Sequence, residues 1–157
     1  MKRKHVLSAT VVAATLTITG LAFGAGVATK KTSLKATLNV GQEVPKPTGV
    51  RRGATGLFTA TLSKNSDGSG TLTWKLTFRR LTGNATAAHI HLARPGKSAP
   101  VAIPLCAPCS TGVTGTSQAS SAVVRALLRN GAYANVHTAK NPSGEIRGQI
   151  TKAAAGS

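Results

Sequence analysis

Three histidines in the sequence have the spacing of a metal-binding set. His89 and His91 are separated by one residue, and in a β-strand that spacing points both side chains to the same face. His137 occupies the polar face of a second strand-like segment near the end of the chain. If the two strands are neighbours, the three imidazoles converge. Neutral imidazole suits copper and zinc, and a third histidine completes a common ligand set.

The same histidines have other interpretations. On the polar face of a sheet they can hydrogen-bond across strands to Asn135, to Gln149 or to backbone groups, and so specify the fold. They could also titrate as a pH switch. Beyond the N-terminal segment the sequence has no fourth histidine, and its only carboxylates are Glu43, Asp67 and Glu145. All three interpretations stay open.

The sequence contains no convincing enzyme active site. It has no Gly-x-Ser-x-Gly nucleophile elbow, no phosphate-binding loop and no paired carboxylates. Asp67 lies in a Gly/Ser-rich hairpin tip, which is typical of a turn former. We expect a non-enzymatic protein, with metal-dependent redox chemistry as the one enzymatic alternative.

The chain is strongly basic, which bears on its partners. Twenty lysines and arginines face three acidic residues, giving a net charge of +17, and such an excess favours anionic partners. Nucleic acid is a poor candidate because the basic residues are scattered and few aromatic side chains are present to stack on bases. We expect an anionic envelope polymer or a membrane surface instead, or a charge kept for solubility alone.

Residues 1–28 are typical of an export signal. A basic start precedes the uncharged segment Val6–Val27, and Gly26 and Ala28 are the small residues that a signal peptidase recognises. We expect cleavage near Ala28. The alternative is an uncleaved anchor, since the run reaches the ~20 residues needed to cross a bilayer. Either way the domain, residues 29–152, lies outside the cytoplasm, secreted or at the cell surface.

Cys106 and Cys109 are expected to form a disulfide, because thiols of exported proteins oxidise. A redox role requires the first cysteine at a helix N-terminus, whereas Ser110–Gly112 is turn-like. The sequence therefore favours a structural bridge worth about 2 kcal/mol. The alternatives are thiol chemistry, and a metal site that joins the cysteines with His89 or His91.

Alternation with period two predicts an all-β domain. The expected strands are residues 33–40, 54–63, 70–78, 86–92, 100–105, 132–139 and 145–152. One short helix is predicted from Ser120 or Ser121, with Gly131 after its last turn. Residues 153–157 are expected to be a frayed tail.

The last two strands form a predicted hairpin. Asn141, Pro142 and Gly144 have the positions of a type I turn followed by a left-handed glycine. This turn pairs Val136 with Ile150.

The hairpin register also assigns side chains to two faces. One face has Val136, Ile146 and Ile150; the other has Tyr133, Asn135, His137, Arg147 and Gln149. Glu145 and Arg147 are expected to form an ion pair or to bind loop backbone.

Three segments resemble the chordin-type (CHRD) domain. Residues 39–45 resemble its opening Gly-x-Glu-x-Pro turn, and residues 87–91 resemble its Ala-His-Ile-His strand. Residues 131–138, followed by residues 141–149, resemble its closing Tyr-x-Asn-Val-His-Thr and Gly-Glu-Ile-Arg-Gly-Gln pattern. Together the matches span about residues 33–152.

The resemblance implies an antiparallel Greek-key β-sandwich or barrel, superoxide-dismutase-like or immunoglobulin-like. It also implies a standalone exported binding or scaffold module, as bacterial members occur alone behind signal peptides. A growth-factor partner, known for animal members, is not carried over, because the matched motifs determine the fold. The His-Ile-His strand also resembles the copper-binding strand of copper/zinc superoxide dismutases.

Overall fold

A computed structural model describes residues 30–154 of the chain. The expected export signal, its cleavage near Ala28 and the last residues of the tail lie outside this described part. Within it, no helix is both long and apolar enough to span a membrane. The strands are β1 (Lys30–Asn39), β2 (Thr55–Lys64), β3 (Gly70–Arg79), β4 (Ala85–His91), β5 (Val101–Cys106), β6 (Val113–Ala119), β7 (Tyr133–Thr138), β8 (Ile146–Gln149) and β9 (Thr151–Lys152). The helices are α1 (Ser121–Leu128) and a 3-10 turn (Val40–Gln42).

The strands form one antiparallel sheet that curls into a nearly closed barrel. Their order is β5-β4-β7-β8-β1-β2-β3-β6, and β9 pairs with β1 beside this path. The outermost strands β5 and β6 approach each other, which nearly closes the sheet. The prediction of an all-β antiparallel barrel with one short helix is confirmed.

Alternate side chains of every long strand fill the barrel. Leu34, Ala36 and Leu38 of β1 are buried in the core, as are Ala88 and Ile90 of β4. Because successive side chains of a strand point to opposite faces, the intervening residues of β4, β7 and β8 face away from the barrel interior. The polar side chains of interest are therefore on the outside of the barrel.

Helix α1 begins where the sequence predicts. The Ser120 hydroxyl caps it by accepting from the Val123 N–H at 3.4 Å, and its buried side chains are Val123, Val124 and Leu127. The end differs by one position. Asn130 takes the left-handed conformation, at φ 56°, while the Gly131 N–H donates to the carbonyl of Ala126 at 2.8 Å.

Strand β6 was not predicted from the sequence, because it contains only small and polar residues between Val113 and Ala119. Its place is filled from the neighbouring strand β3. The Trp74 indole covers Gly115 so closely that a Cβ there would lie 2.4 Å from Cζ2. The Trp74 Nε1–H also donates to the Ser117 hydroxyl at 3.1 Å. The large Trp74 side chain of β3 thus provides the apolar packing that the residues of β6 do not provide themselves.

The predicted register of the last hairpin is wrong. Val136 pairs with Ile146 rather than with Ile150. The predicted turn forms, since the Gly144 N–H donates to the Asn141 carbonyl at 3.0 Å and Gly144 has φ 127°.

A second turn precedes the predicted turn and lengthens the loop of this hairpin. The Asn141 N–H donates to the Thr138 carbonyl at 3.1 Å, and the loop closes where the Glu145 N–H reaches the Val136 carbonyl at 2.8 Å. The pairing therefore shifts by an even number of residues, from Ile150 to Ile146, which leaves each side chain on its predicted face.

Candidate functional site

The three histidines lie together on the outer face of the sheet. Strand β4 pairs with β7 so that His89 is opposite Asn135 and His91 is opposite Tyr133. One ligating nitrogen from each of His89, His91 and His137 lies within 4.8 Å of the others. Loops cover this face, so His91 is 6 % exposed and His137 is 9 % exposed, while His89 is half-buried.

Backbone carbonyls fix the protonation of two of the rings. His91 Nδ1 lies 2.8 Å from the Ala99 carbonyl, and His137 Nδ1 lies 2.9 Å from the Pro142 carbonyl. Because a carbonyl oxygen only accepts hydrogen bonds, each Nδ1 carries the proton and donates it. In the neutral ring the other nitrogen, Nε2, is then a bare lone pair.

These lone pairs converge on one oxygen. Asn135 Oδ1 lies 3.1 Å from Nε2 of His91 and 3.0 Å from Nε2 of His137. His89 Nδ1 lies 3.1 Å from His137 Nε2. With the Asn135 amide in this orientation, three acceptors therefore meet at a point to which the half-buried His89 ring brings the proton. Such a cluster of lone pairs is a candidate donor set for a cation.

Burial keeps the imidazoles of His89 and His137 neutral. It lowers the pKa of His89 to about 4, with the charges of His137 and His91 acting in the same direction. Burial also lowers the pKa of His137, against the Pro142 hydrogen bond, which raises it. Near pH 7 both rings are thus unprotonated at the nitrogens that face the cluster, and available as ligands.

Beside the cluster lies a buried carboxylate from the loop after β1. Glu43 is 1 % exposed, and its Oε2 has no hydrogen-bond partner among the residues that the structure describes. Burial raises the pKa of Glu43 to about 7, although the Val44 N–H, the Arg147 charge and the neighbouring Asn135 amide lower it. Gly144 makes room for this carboxylate, because a Cβ there would lie 2.4 Å from Oε2.

A second buried carboxylate, Glu145, differs from Glu43 because its oxygens accept several hydrogen bonds. Its oxygens accept from the Thr82 N–H at 2.8 Å, from the Thr138 hydroxyl at 2.7 Å and from the Asn141 amide at 3.3 Å. Burial raises the pKa of Glu145, but the hydrogen bonds from Thr82, Thr138 and Asn141 outweigh it and lower the pKa below its ordinary value. Glu145 thus holds the loops over the sheet.

Arg147 lies on the same outer face and is 1 % exposed. Its guanidinium stacks on the Tyr133 ring, 3.4 Å from the centroid, and its Nη2 donates to the Arg94 carbonyl at 3.2 Å. The His91 ring stacks on Tyr133 as well, with 4.8 Å between ring centroids. Arg147 and Glu145 therefore each bind the backbone of a loop.

Cys106 and Cys109 form a disulfide, with their sulfurs 2.11 Å apart. The bridge closes a short loop whose Cys109 N–H donates to the Ala85 carbonyl at 3.1 Å, at the start of β4. A metal site that uses these cysteines together with His89 or His91 is therefore wrong, since both sulfurs are already bonded to each other.

Sequence reasoning missed the contribution of Glu43 to this site. The residue was visible as one of three carboxylates beyond the N-terminal segment and as part of the opening motif. Nothing in its spacing, however, indicates that its loop folds back over strands from the other end of the chain.

One comparison with known proteins finds a match. The family model described as the CHRD domain matches residues 34–150. The searches of curated proteins and of solved structures found no match.

Proposed function

Because this chain belongs to the CHRD domain family, we propose that it is a non-enzymatic binding module of the cell exterior that holds one copper or zinc ion. The binding-module character follows the family. The metal rests on a single observation, the convergence of the His91 and His137 lone pairs on one point with His89 beside them.

The distances suit a transition metal. Bonds of about 2.0–2.1 Å to imidazole place neighbouring ligands of a tetrahedral ion about 3.4 Å apart. The pairs that meet at His137 Nε2 are separated by 3.0 and 3.1 Å, and the widest separation in the set is no more than 4.8 Å. Ring rotations of about 1 Å would bring all three nitrogens to one ion. Asn135 Oδ1 faces the same point as a further oxygen donor.

The second candidate is a scaffold in which the histidines only specify the fold. It requires the Asn135 amide to turn, so that its NH₂ group donates to His91 and His137. The Asn135 oxygen would then face Glu43, whose carboxyl would have to be protonated to donate to it. The partnerless Oε2 and the raised pKa of Glu43 favour this arrangement in metal-free protein. The two functions therefore predict different amounts of metal bound per chain after loading with Cu²⁺ or Zn²⁺.

Metal analysis of untagged protein tests the choice. After loading with Cu²⁺ or Zn²⁺ and removal of free ion, we expect about one ion per chain. His91→Ala should lose the ion, whereas Thr86→Ala, an exposed residue of the same strand, should retain it. Sub-stoichiometric metal, or unchanged affinity in His91→Ala, would remove the metal function and leave the scaffold.

Melting of metal-free His137→Ala provides the reciprocal test. A scaffold role predicts a loss of stability, because the variant leaves Asn135 and the Pro142 carbonyl without their partner. Unchanged melting together with lost metal binding would instead assign the ring to the metal alone.

Export and an anionic partner complete the proposal. The basic, then uncharged, N-terminal segment and the disulfide support export; the mass of the protein outside the cell should lack about the first 28 residues. Removal of Lys2, Arg3 and Lys4 with this segment lowers the net charge from +17 to +14, and this excess supports binding to an anionic envelope polymer or membrane surface. Retention on acidic polysaccharide or anionic vesicles should weaken with added salt, and salt-independent retention would contradict an electrostatic partner.

A further inference from the structure

A second candidate site lies beside Arg147, on the outer face of β8. A cavity of about 430 Å³ opens between the loop after β1, the loop after β4 and strand β8. Its walls include Lys46, Gly96, Arg147 and Gln149. The three histidines are not among its lining residues, so this cavity is distinct from the metal site.

The wall of the cavity has a buried donor without an acceptor. Arg147 is immobilised by the stack on Tyr133 and by the hydrogen bond from Nη2 to the Arg94 carbonyl. Its Nη1 is buried and has no hydrogen-bond partner among residues 30–154. A buried charged donor left unpaired is destabilising, and such groups are rare unless something else satisfies them. The charge of Glu43 acts on Arg147, but no hydrogen bond joins the two side chains, so Nη1 can still bind an anionic acceptor that enters through the cavity.

The wall of the cavity also has a buried acceptor without a donor. Gln149 lies two residues along β8, and its Nε2 donates to the carbonyls of Ala93 and Asn130, both at 2.8 Å. Its Oε1 is buried and has no partner within the described chain. Because both amide hydrogens are used, this orientation is fixed and Oε1 must accept. A ligand that satisfies both residues needs an oxyanion and a hydrogen-bond donor, such as a hydroxyl group.

The charge and shape of the cavity narrow the class of ligand further. The exposed Lys46 lines the cavity, and its ammonium donates to the carbonyl of Gly41. A planar carboxylate matches the fork of an arginine better than it matches a lysine. The volume is within the range of small-molecule sites and exceeds what a single sugar ring occupies. We propose that this cavity binds a sugar acid, the uronate residue of an anionic polysaccharide, with its carboxylate on Arg147 and Lys46 and a ring hydroxyl on Gln149.

Titration of the ¹⁵N-labelled, chelator-treated protein with sodium glucuronate tests this directly. We expect the amide resonances of Gly41 and Gly96 to shift with glucuronate and not with glucose, because glucose lacks the carboxylate. Acetate should bind at least about tenfold more weakly, because it lacks the hydroxyl group for Gln149. Absence of shifts with glucuronate, or equal shifts with glucose, would overturn the proposal. Equal binding of an N-acetyl amino acid would overturn the sugar and assign the site to peptide carboxylates.

Variants distinguish glucuronate binding in the cavity from a general electrostatic attraction to a basic protein. Lys46→Glu should weaken glucuronate binding by about tenfold or more at low salt. Lys64→Glu makes the same change of charge at an exposed lysine of β2, outside the cavity, and should leave binding unchanged. Equal weakening in both variants would show non-specific electrostatics and overturn the proposal. Arg147→Lys, which keeps the charge but loses the planar fork, should abolish binding in protein that still melts cooperatively; retained binding would contradict the role of Nη1.

Discussion

Two buried carboxylates with opposite pKa shifts make the stability of this protein depend on pH in opposite ways. Glu43 has a pKa raised from 4.5 to about 7, so its contribution is fully present below pH 4.5 and is lost as the pH rises through about 7. This rise corresponds to about 3 kcal/mol. Glutamine keeps the shape of the side chain and cannot ionise. We therefore expect Glu43→Gln to gain about 3 kcal/mol relative to wild type between pH 4 and pH 9.

Glu145→Gln is the matched control. The pKa of Glu145 is lowered, so its contribution is present above about pH 4.5 and is lost as the pH falls through its lower, folded-state value. Glu145→Gln should be destabilised near neutral pH by about 2–4 kcal/mol, because charge-assisted hydrogen bonds from Thr82 and Thr138 are weakened. Its deficit relative to wild type should shrink on acidification, opposite to the trend for Glu43→Gln.

Urea unfolding at several pH values measures both effects. Trp74, the single tryptophan of the sequence, is 4 % exposed and should report global unfolding by fluorescence. A chelator removes any contribution from bound metal. Parallel pH profiles for wild type and Glu43→Gln would refute the reasoning, because they would mean that Glu43 is as well solvated in the folded chain as in the unfolded one.

Three further predictions concern the packing around the site. Gly144→Ala should lower the free energy of unfolding by more than about 1 kcal/mol, since φ is 127° and a Cβ would meet Glu43; unchanged urea midpoints would contradict the close approach. Ile90→Ala, at a fully buried position between the two histidines of β4, should lower it by about 2–5 kcal/mol, and a loss below about 1 kcal/mol would contradict its core position. Replacing both Cys106 and Cys109 by serine should lower it by about 2 kcal/mol without changing metal affinity, because the bridge lies outside the histidine cluster; a fall in metal affinity would contradict that independence.

The sequence predicts much of this fold because apolar and polar residues alternate in the strands that have one face on the core and the other face under the loops. The pattern around Ala88 and Ile90 determines that His89 and His91 leave the core together. The same alternation gave the correct faces of the last hairpin even though its register was wrong, since the error was an even number of residues. Strand β6 was missed because the apolar side chain that fills its place, Trp74, belongs to another strand.

By itself, then, the sequence determined which side chains point out of the barrel, because period-two alternation is a local property of each strand. Only the tertiary structure decided what those side chains meet. The protons of His91 and His137 are set by carbonyls of covering loops, and Glu43 reaches the cluster from the loop after the first strand. Such contacts depend on how loops close over a finished sheet, which no spacing of residues within one segment encodes.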